Sequence, residues 1–197
     1  FSNSLFKCFD LCFVANGETE VHLKDLGSKN IKNYGNLKFA NTEHNLNNFL
    51  DENYLNKIKD RKIWCGASTH SSEEIICAKA HKVIRKNHES LLTIIIPRHI
   101  HRVKKIKSDL EKMNLKICLY SDFNKINDNI DILLVDAYGE TSKFFQIAKN
   151  VFLGGSLIKH GGQNPIEPSR LGCKIFHGPN VENFLEIYEY LKSLKIA

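Results

Sequence analysis

Lys62-Ile63-Trp64-Cys65-Gly66-Ala67, running directly into Ser68-Thr69-His70-Ser71-Ser72-Glu73-Glu74, is the stretch that decides how this chain folds. A short β-rich run ends in a cluster of hydroxyls, and the segment Glu73–Lys86 that follows carries helical periodicity, so the passage reads strand, turn, helix. Ser71 with Glu74 has the spacing of a capping box for that helix. The same alternation continues downstream. Strands are predicted at Lys62–Ala67, Leu92–Ile96, Lys116–Tyr120, Ile132–Val135, Val151–Leu153 and Lys174–Phe176. Helices are predicted at Glu73–Lys86, Val103–Met113, Thr141–Ala148, Pro165–Leu171 and Val181–Leu194, with Asn180 positioned to cap the last. Short apolar runs alternating with longer amphipathic ones imply an α/β unit with a parallel sheet and helices on both faces. Upstream, a strand around Cys12–Ala15, a helix around Thr19–Leu26 and a strand at Ile31–Asn33 precede Gly35-Asn36-Leu37-Lys38. Asn41 to Lys59 is rich in Asn and Lys with a weak helical period, which suits a linker and lead-in helix and places a domain boundary nearby.

Bulk properties narrow the function. At 197 residues, 42% hydrophobic and 25% charged, the chain is long enough for one substantial core and part of a second unit. It begins at Phe1, without Met, and enters an apolar stretch at once, which we read as a fragment of a longer protein. No apolar run approaches the roughly 18 residues of a membrane span, and the start lacks the zones of a signal peptide. Cys8, Cys12, Cys65, Cys77, Cys118 and Cys173 form no C-x-x-C pair, so buried free thiols in a reducing cytoplasm are expected, and no metal. The net charge of +6 favours phosphates, anionic headgroups or nucleic acid as partners. The basic residues are dispersed, the densest group being Arg98, Arg102, Lys104, Lys105 and Lys107, and no aromatic stacking pattern accompanies them, which argues against nucleic acid.

Three strand ends carry chemistry, because ligands of open α/β sheets bind at the carboxyl edge. Ser68-Thr69-His70 puts hydroxyls and an imidazole there, or else the segment simply opens a capped helix. Pro97-Arg98-His99-Ile100-His101-Arg102 presents two guanidiniums and two imidazoles, or a solvated basic loop. Phe152-Leu153-Gly154-Gly155-Ser156 lets main-chain N–H groups approach an anion because no Cβ intervenes, which makes it a phosphate seat. It is neither G-x-G-x-x-G nor a P-loop, so NAD and NTP hydrolysis are disfavoured. His160-Gly161-Gly162-Gln163-Asn164-Pro165-Ile166-Glu167-Pro168 follows, with Asn164 as N-cap and Pro165 as the first helical residue, aiming a second helix N-terminus at the same edge. Glu167, third in that helix, either folds back in a capping box or accepts from a pair of ribose hydroxyls. Asp136 and Glu140 either act as acids or end a strand and start a helix.

Taken in order, these segments resemble the C-terminal half of 3-deoxy-D-manno-octulosonic acid (Kdo) transferases. The resemblance rests on Gly35-Asn36-Leu37-Lys38-Phe39, Ser68-Thr69-His70 with Glu73-Glu74, Pro97-Arg98-His99, Asp136 with Gly139-Glu140, Gly154-Gly155-Ser156, Gly162-Gln163-Asn164-Pro165-Ile166-Glu167-Pro168, and Gly178-Pro179 with Asn183-Phe184. It implies the C-terminal domain of a GT-B glycosyltransferase, a Rossmann-like parallel sheet with helices on both faces. Residues 1–40 would be the end of an N-terminal acceptor domain with the junction, and 41–197 the domain that binds the donor, CMP-Kdo. It implies substrate contacts from Ser68, Thr69, His70, Arg98, His99, Gly139, Glu140, Gly154, Gly155, Ser156, Gln163, Asn164 and Glu167. Further implications are metal-independent, inverting transfer of Kdo to a lipid A precursor (lipid IVA) without a cofactor, and a glutamate base upstream of Phe1. The expected setting is the cytoplasmic face of the bacterial inner membrane, reached through the N-terminal domain. Gln163 stands where the family has His, and Ala137 where it has Thr; Gln cannot carry a titrating proton. Other readings are a GT-B enzyme using a UDP-sugar and a non-catalytic nucleotide-binding module.

Overall fold

The computed structural model describes residues 5–35, 49–127 and 129–197. By spatial clustering the chain divides into Phe1–Leu46 and Asn47–Ala197. The expected boundary at 40/41, and the junction motif beyond Gly35, lie outside the described residues.

In the smaller unit, β1 (Cys12–Val14) and β2 (Ile31–Asn33) pair in parallel, connected by α1 (Gly17–Asp25). Asn16 starts α1 by accepting from the Thr19 amide at 2.8 Å, and Glu18 and Glu20 in the first turn complement the helix dipole.

The larger unit contains α2 (Glu52–Ile58), β3 (Lys62–Thr69), α3 (Glu73–Arg85), β4 (Leu91–Pro97), α4 (Val103–Glu111), β5 (Ile117–Leu119), β6 (Ile132–Leu134), α5 (Thr141–Phe145), β7 (Asn150–Leu153), α6 (Ile166–Arg170), β8 (Lys174–Phe176) and α7 (Leu185–Ser193). Its six strands form one parallel sheet in the order β5-β6-β4-β3-β7-β8. β4 is buried along its whole length, as expected of a central parallel strand covered on both faces. Successive residues alternate between two cores. Cys65, Ala67, Ile94, Ile96, Leu133 and Val151 join Ile58, Phe144, Ile187 and Leu191 on one face. Ile95, Ile132 and Leu134 join Cys77, Ala78, Val103, Ile106 and Leu110 on the other. Each fully buried aliphatic side chain stabilises by about 1.5–3 kcal/mol.

The strand order reverses at β3: the chain first builds outward on the β4 side, then crosses to place β7 against the other side of β3. The carboxyl ends of β3, β4 and β7 therefore lie beside one another at the switch point, where α/β sheets open a crevice.

Several local expectations need correction. Ser71 and Glu74 form no capping box: the residue before α3 is Ser72, at φ 76° with no side-chain cap, and Glu74 turns inward. The buried positions of α3 are Glu73, Glu74, Cys77, Ala78 and His81, so two carboxylates lie on the apolar stripe. Asn180 caps nothing; its amide donates to the Ser156 carbonyl at 3.1 Å, and a 3-10 turn at Glu182–Phe184 leads into α7. Of the cysteines, Cys65, Cys77, Cys118 and Cys173 are buried, Cys12 is half-buried and Cys8 is exposed.

Candidate functional site

At the end of β3 the pairing with β4 slips by one residue between Ala67 and Thr69, and Ser68 absorbs the slip in a left-handed conformation, φ 52°. Thr69 then lies opposite Pro97, and its carbonyl accepts from the Arg98 amide at 2.9 Å, lacing the β3 and β4 turns together. The Thr69 side chain faces inward, fully buried, and its hydroxyl donates to Glu74 Oε1 at 3.1 Å.

Glu73 decides the local architecture. Its carboxylate is fully buried and accepts from four main-chain N–H groups. Oε2 takes His70 at 2.8 Å and Gly155 at 2.7 Å, and Oε1 takes Ser156 at 3.1 Å and Leu157 at 3.0 Å. The N–H nest after β7, expected to seat a phosphate, thus already holds an anion supplied by the chain itself. The Gly154 amide continues the sheet to Ala67 O at 2.8 Å. The Ser156 hydroxyl is buried, donating to Leu153 O at 2.6 Å and accepting from Gly178 N at 2.9 Å. Thr69, Gly154 and Ser156 therefore serve the scaffold in this structure, each engaged in contacts within the fold.

The side chains that do converge are imidazoles. The His70 ring lies 4.2 Å from His160 and 5.9 Å from His99, centroid to centroid, and His99 stacks on His101 at 5.5 Å. Gln163 Nε2 stands 3.5 Å from His70 Nε2. A Cβ on Gly155 would meet His160 at 3.0 Å, Gln163 at 3.2 Å and His70 at 3.3 Å, so these three side chains close around the Gly155 Cα. Burial, reinforced by His160, holds His70 below the ordinary imidazole value, against an opposing pull from Glu73. Arg98, next to His99 in the chain, is exposed, with no ion pair among the described residues. The second guanidinium of that loop is not available: Arg102 makes a bidentate pair with Glu74, at 3.0 and 3.1 Å.

The remaining expected residues make contacts of their own, none of them recorded with this cluster among the described residues. The expected cap shifts by one residue: α6 starts at Ile166, not Pro165, so Pro165 holds the N-cap position without a side-chain cap, and Asn164 before it accepts from the Ile166 amide at 3.1 Å in a local turn. Glu167 forms no capping box; its carboxylate accepts from the Ser142 hydroxyl at the start of α5. Glu140 accepts from the Tyr120 hydroxyl at 2.9 Å and pairs with Lys143 at 2.7 Å. Asp136 accepts from the amide and hydroxyl of Ser121, at 3.0 and 2.6 Å. Gly139, at φ 80°, has open space around it. Sequence reasoning missed Glu73 as the nest's occupant and His160 as a member of the site. A carboxylate paired with a second one immediately after a strand turn was the available signal for the first.

A cavity of about 560 Å³ lies away from the cluster on the α3 face of the sheet, between Trp64, Ile76, Cys77, Phe152, Leu157 and Phe176. Its apolar lining does not suit a nucleotide phosphate.

No family model matches the chain. It is 34% identical over 158 residues to a 3-deoxy-D-manno-octulosonic acid transferase of Haemophilus influenzae, covering 80% of this chain and 37% of that one. It is 30% identical over 199 residues to the Rickettsia bellii transferase of the same name, covering 100% and 47%. Against the crystal structure of the C-terminal CMP-Kdo binding domain of WaaA from Acinetobacter baumannii, the TM-score is 0.66 at 26% identity, covering 72% of this chain and 77% of that one. The chain spans less than half the length of these two curated relatives. On the order of its motifs, its sheet and these likenesses, the chain belongs to the 3-deoxy-D-manno-octulosonic acid transferase family.

Proposed function

We propose that the larger unit binds the CMP portion of CMP-Kdo at the carboxyl edge of β3, β4 and β7, and that the protein transfers Kdo to a lipid A precursor. The observation that carries this reading is the approach of His70, His99 and Gln163 to one another at the switch point of a sheet like that of a CMP-Kdo binding domain, with Arg98, exposed and without an ion pair among the described residues, next to His99. As the glycosidic bond breaks, negative charge develops on the CMP phosphate. Fixed cationic and dipolar groups stabilise that charge without reorganising, as a bound metal would in other transferases. Arg98 offers a planar fork to the phosphate, and Glu167, half-buried and bonded to the Ser142 hydroxyl, exchanges that partner for the ribose hydroxyls. Transfer is inverting, its glutamate base comes from an N-terminal acceptor domain, and the lipid acceptor places the reaction at the cytoplasmic face of the inner membrane. The net charge of +6 supports attraction to anionic headgroups.

Thermal unfolding with CMP, CDP, UDP and UDP-GlcNAc tests the donor assignment. A ligand at 100 times its Kd adds about 2.7 kcal/mol to apparent stability, a rise of roughly 5–10 °C for a chain of this size. CMP should give the larger rise, and a greater rise with UDP would overturn the reading in favour of a uridine-nucleotide donor.

A further inference from the structure

Around Gly155 three polar side chains meet: His70 on the β3 turn, and His160 and Gln163 on the loop between β7 and α6. The groups facing His70 come from every neighbouring element: Glu73 from α3, His99 and Arg102 from the segment after β4, and His160 and Gln163 from the loop. Only Glu73 among them is anionic. Its carboxylate is already saturated by four N–H donors, and Arg102 is paired with Glu74. His70 therefore sits half-buried among neighbours that disfavour a proton, in the recess it forms with His160 and Gln163 around Gly155, and Arg98 and His99 on the neighbouring β4 turn are exposed.

We propose that this recess is a proton-coupled anion subsite, in which the phosphate of the bound nucleotide is accompanied by one proton taken from solvent onto His70. The proposal rests on the reading that CMP binds at this edge. An anion within about 4–6 Å of an imidazole raises its proton affinity by 1–3 pK units, enough to carry a ring that starts below its ordinary value across neutrality. Gln163 suits both states. With its amide nitrogen 3.5 Å from His70 Nε2, it can donate to an unprotonated ring nitrogen; with the carboxamide reversed, its oxygen accepts from the N–H of the charged ring. A glutamine that cannot titrate thereby serves as the switchable partner of an imidazole that does. The balance is simple: enzyme, nucleotide dianion and one proton give the complex, and no bond other than His70 N–H is made.

Calorimetric titration of the 197-residue chain with CMP at pH 7.0, in two buffers of different ionisation enthalpy, counts the protons exchanged. We expect uptake of roughly 0.5–1 proton, and a Kd that weakens about three- to tenfold per pH unit above pH 7. Cytidine, which lacks the phosphate, should bind with none. His70→Asn should still bind CMP, with uptake near zero. Histidine-selective 15N spectra of the wild-type chain read the charge of the His70 ring directly, so the result does not hinge on that variant folding. CMP binding without proton uptake overturns the proposal and leaves the donor assignment standing. Uptake that persists in His70→Asn, or a His70 ring that stays neutral with CMP bound, also overturns it. Absence of CMP binding overturns both.

Discussion

A methyl group placed on Gly154 would stand 2.5 Å from the Ser68 carbonyl oxygen, 2.6 Å from the Thr69 Cα and 2.8 Å from Glu73 Oε2. Two of these atoms are backbone and the third is pinned by four hydrogen bonds, so none can move away. Gly154→Ala should destabilise the chain by about 1–3 kcal/mol, as overpacking does. Gly155→Ala meets only side-chain atoms of His160, Gln163 and His70, at 3.0–3.3 Å, but must hold φ 66°. It should cost about 1–2 kcal/mol in backbone strain and, unlike its neighbour, weaken CMP binding by displacing the cluster. Urea unfolding and calorimetry on the two variants separate these effects; equal losses of affinity at equal stability would refute the division between scaffold and site. Glu73→Gln probes the same turn from beneath. An amide cannot accept from all four N–H groups, because its NH2 points a donor at donors, and the loss should be about 3 kcal/mol.

Between elements, the two arginines after β4 carry opposite roles that their spacing in the sequence does not reveal. Arg102 is only 21% exposed and clamps Glu74 of α3, which is 4% exposed. Arg102→Ala leaves that carboxylate with the Thr69 hydroxyl as its remaining partner and should destabilise by about 3 kcal/mol or more. Arg98 lies at the surface without an ion pair among the described residues, so Arg98→Ala should change stability by no more than about 0.5 kcal/mol. Its effect should fall on CMP affinity, weakened about tenfold, or about 1.4 kcal/mol. An Arg98→Ala variant that binds CMP normally would remove Arg98 from the site. The same contrast shows what the sequence made legible. Strand and helix positions followed from pattern and length together, since Leu92–Ile96 and Ile132–Val135 are short, β-branched apolar runs of the kind that form buried parallel strands. Which strand ends meet followed from the general behaviour of α/β sheets. The destination of each polar side chain did not follow. Ser71, Glu74 and Glu167 match capping boxes by spacing, yet Glu74 is drawn to Arg102, 28 residues away, and Glu167 to Ser142, 25 residues away. Capping is a local preference worth about 1 kcal/mol, and a buried charge that finds a guanidinium or a hydroxyl outweighs it.

For the molecule as a whole, two histidines couple stability to pH with the same sign. His81 on α3 is fully buried, with Nδ1 2.8 Å from the Thr93 hydroxyl and Nε2 3.7 Å from Asp131 Oδ1. Burial holds it below its ordinary value; Asp131 opposes that shift, while Arg85 and Arg61 add to it. His70 is lowered as well, chiefly by burial. As pH falls through about 6.5, the unfolded chain binds protons that the folded chain refuses, so the unfolded state gains. Stability is thus fully present above that value and declines on acidification, by up to about 1.36 kcal/mol per pH unit for each group, until the lowered folded-state values are reached. The melting temperature should therefore drop between pH 7 and pH 5.5. His81→Gln, which can still hydrogen-bond Thr93, should lower the melting temperature at pH 7 but flatten its descent by one group's share. His70→Gln separates the second share: its descent should match that of a single buried histidine. Parallel curves for wild type and His81→Gln would remove His81 as a source of the pH dependence, and a slope unchanged in His70→Gln would remove His70.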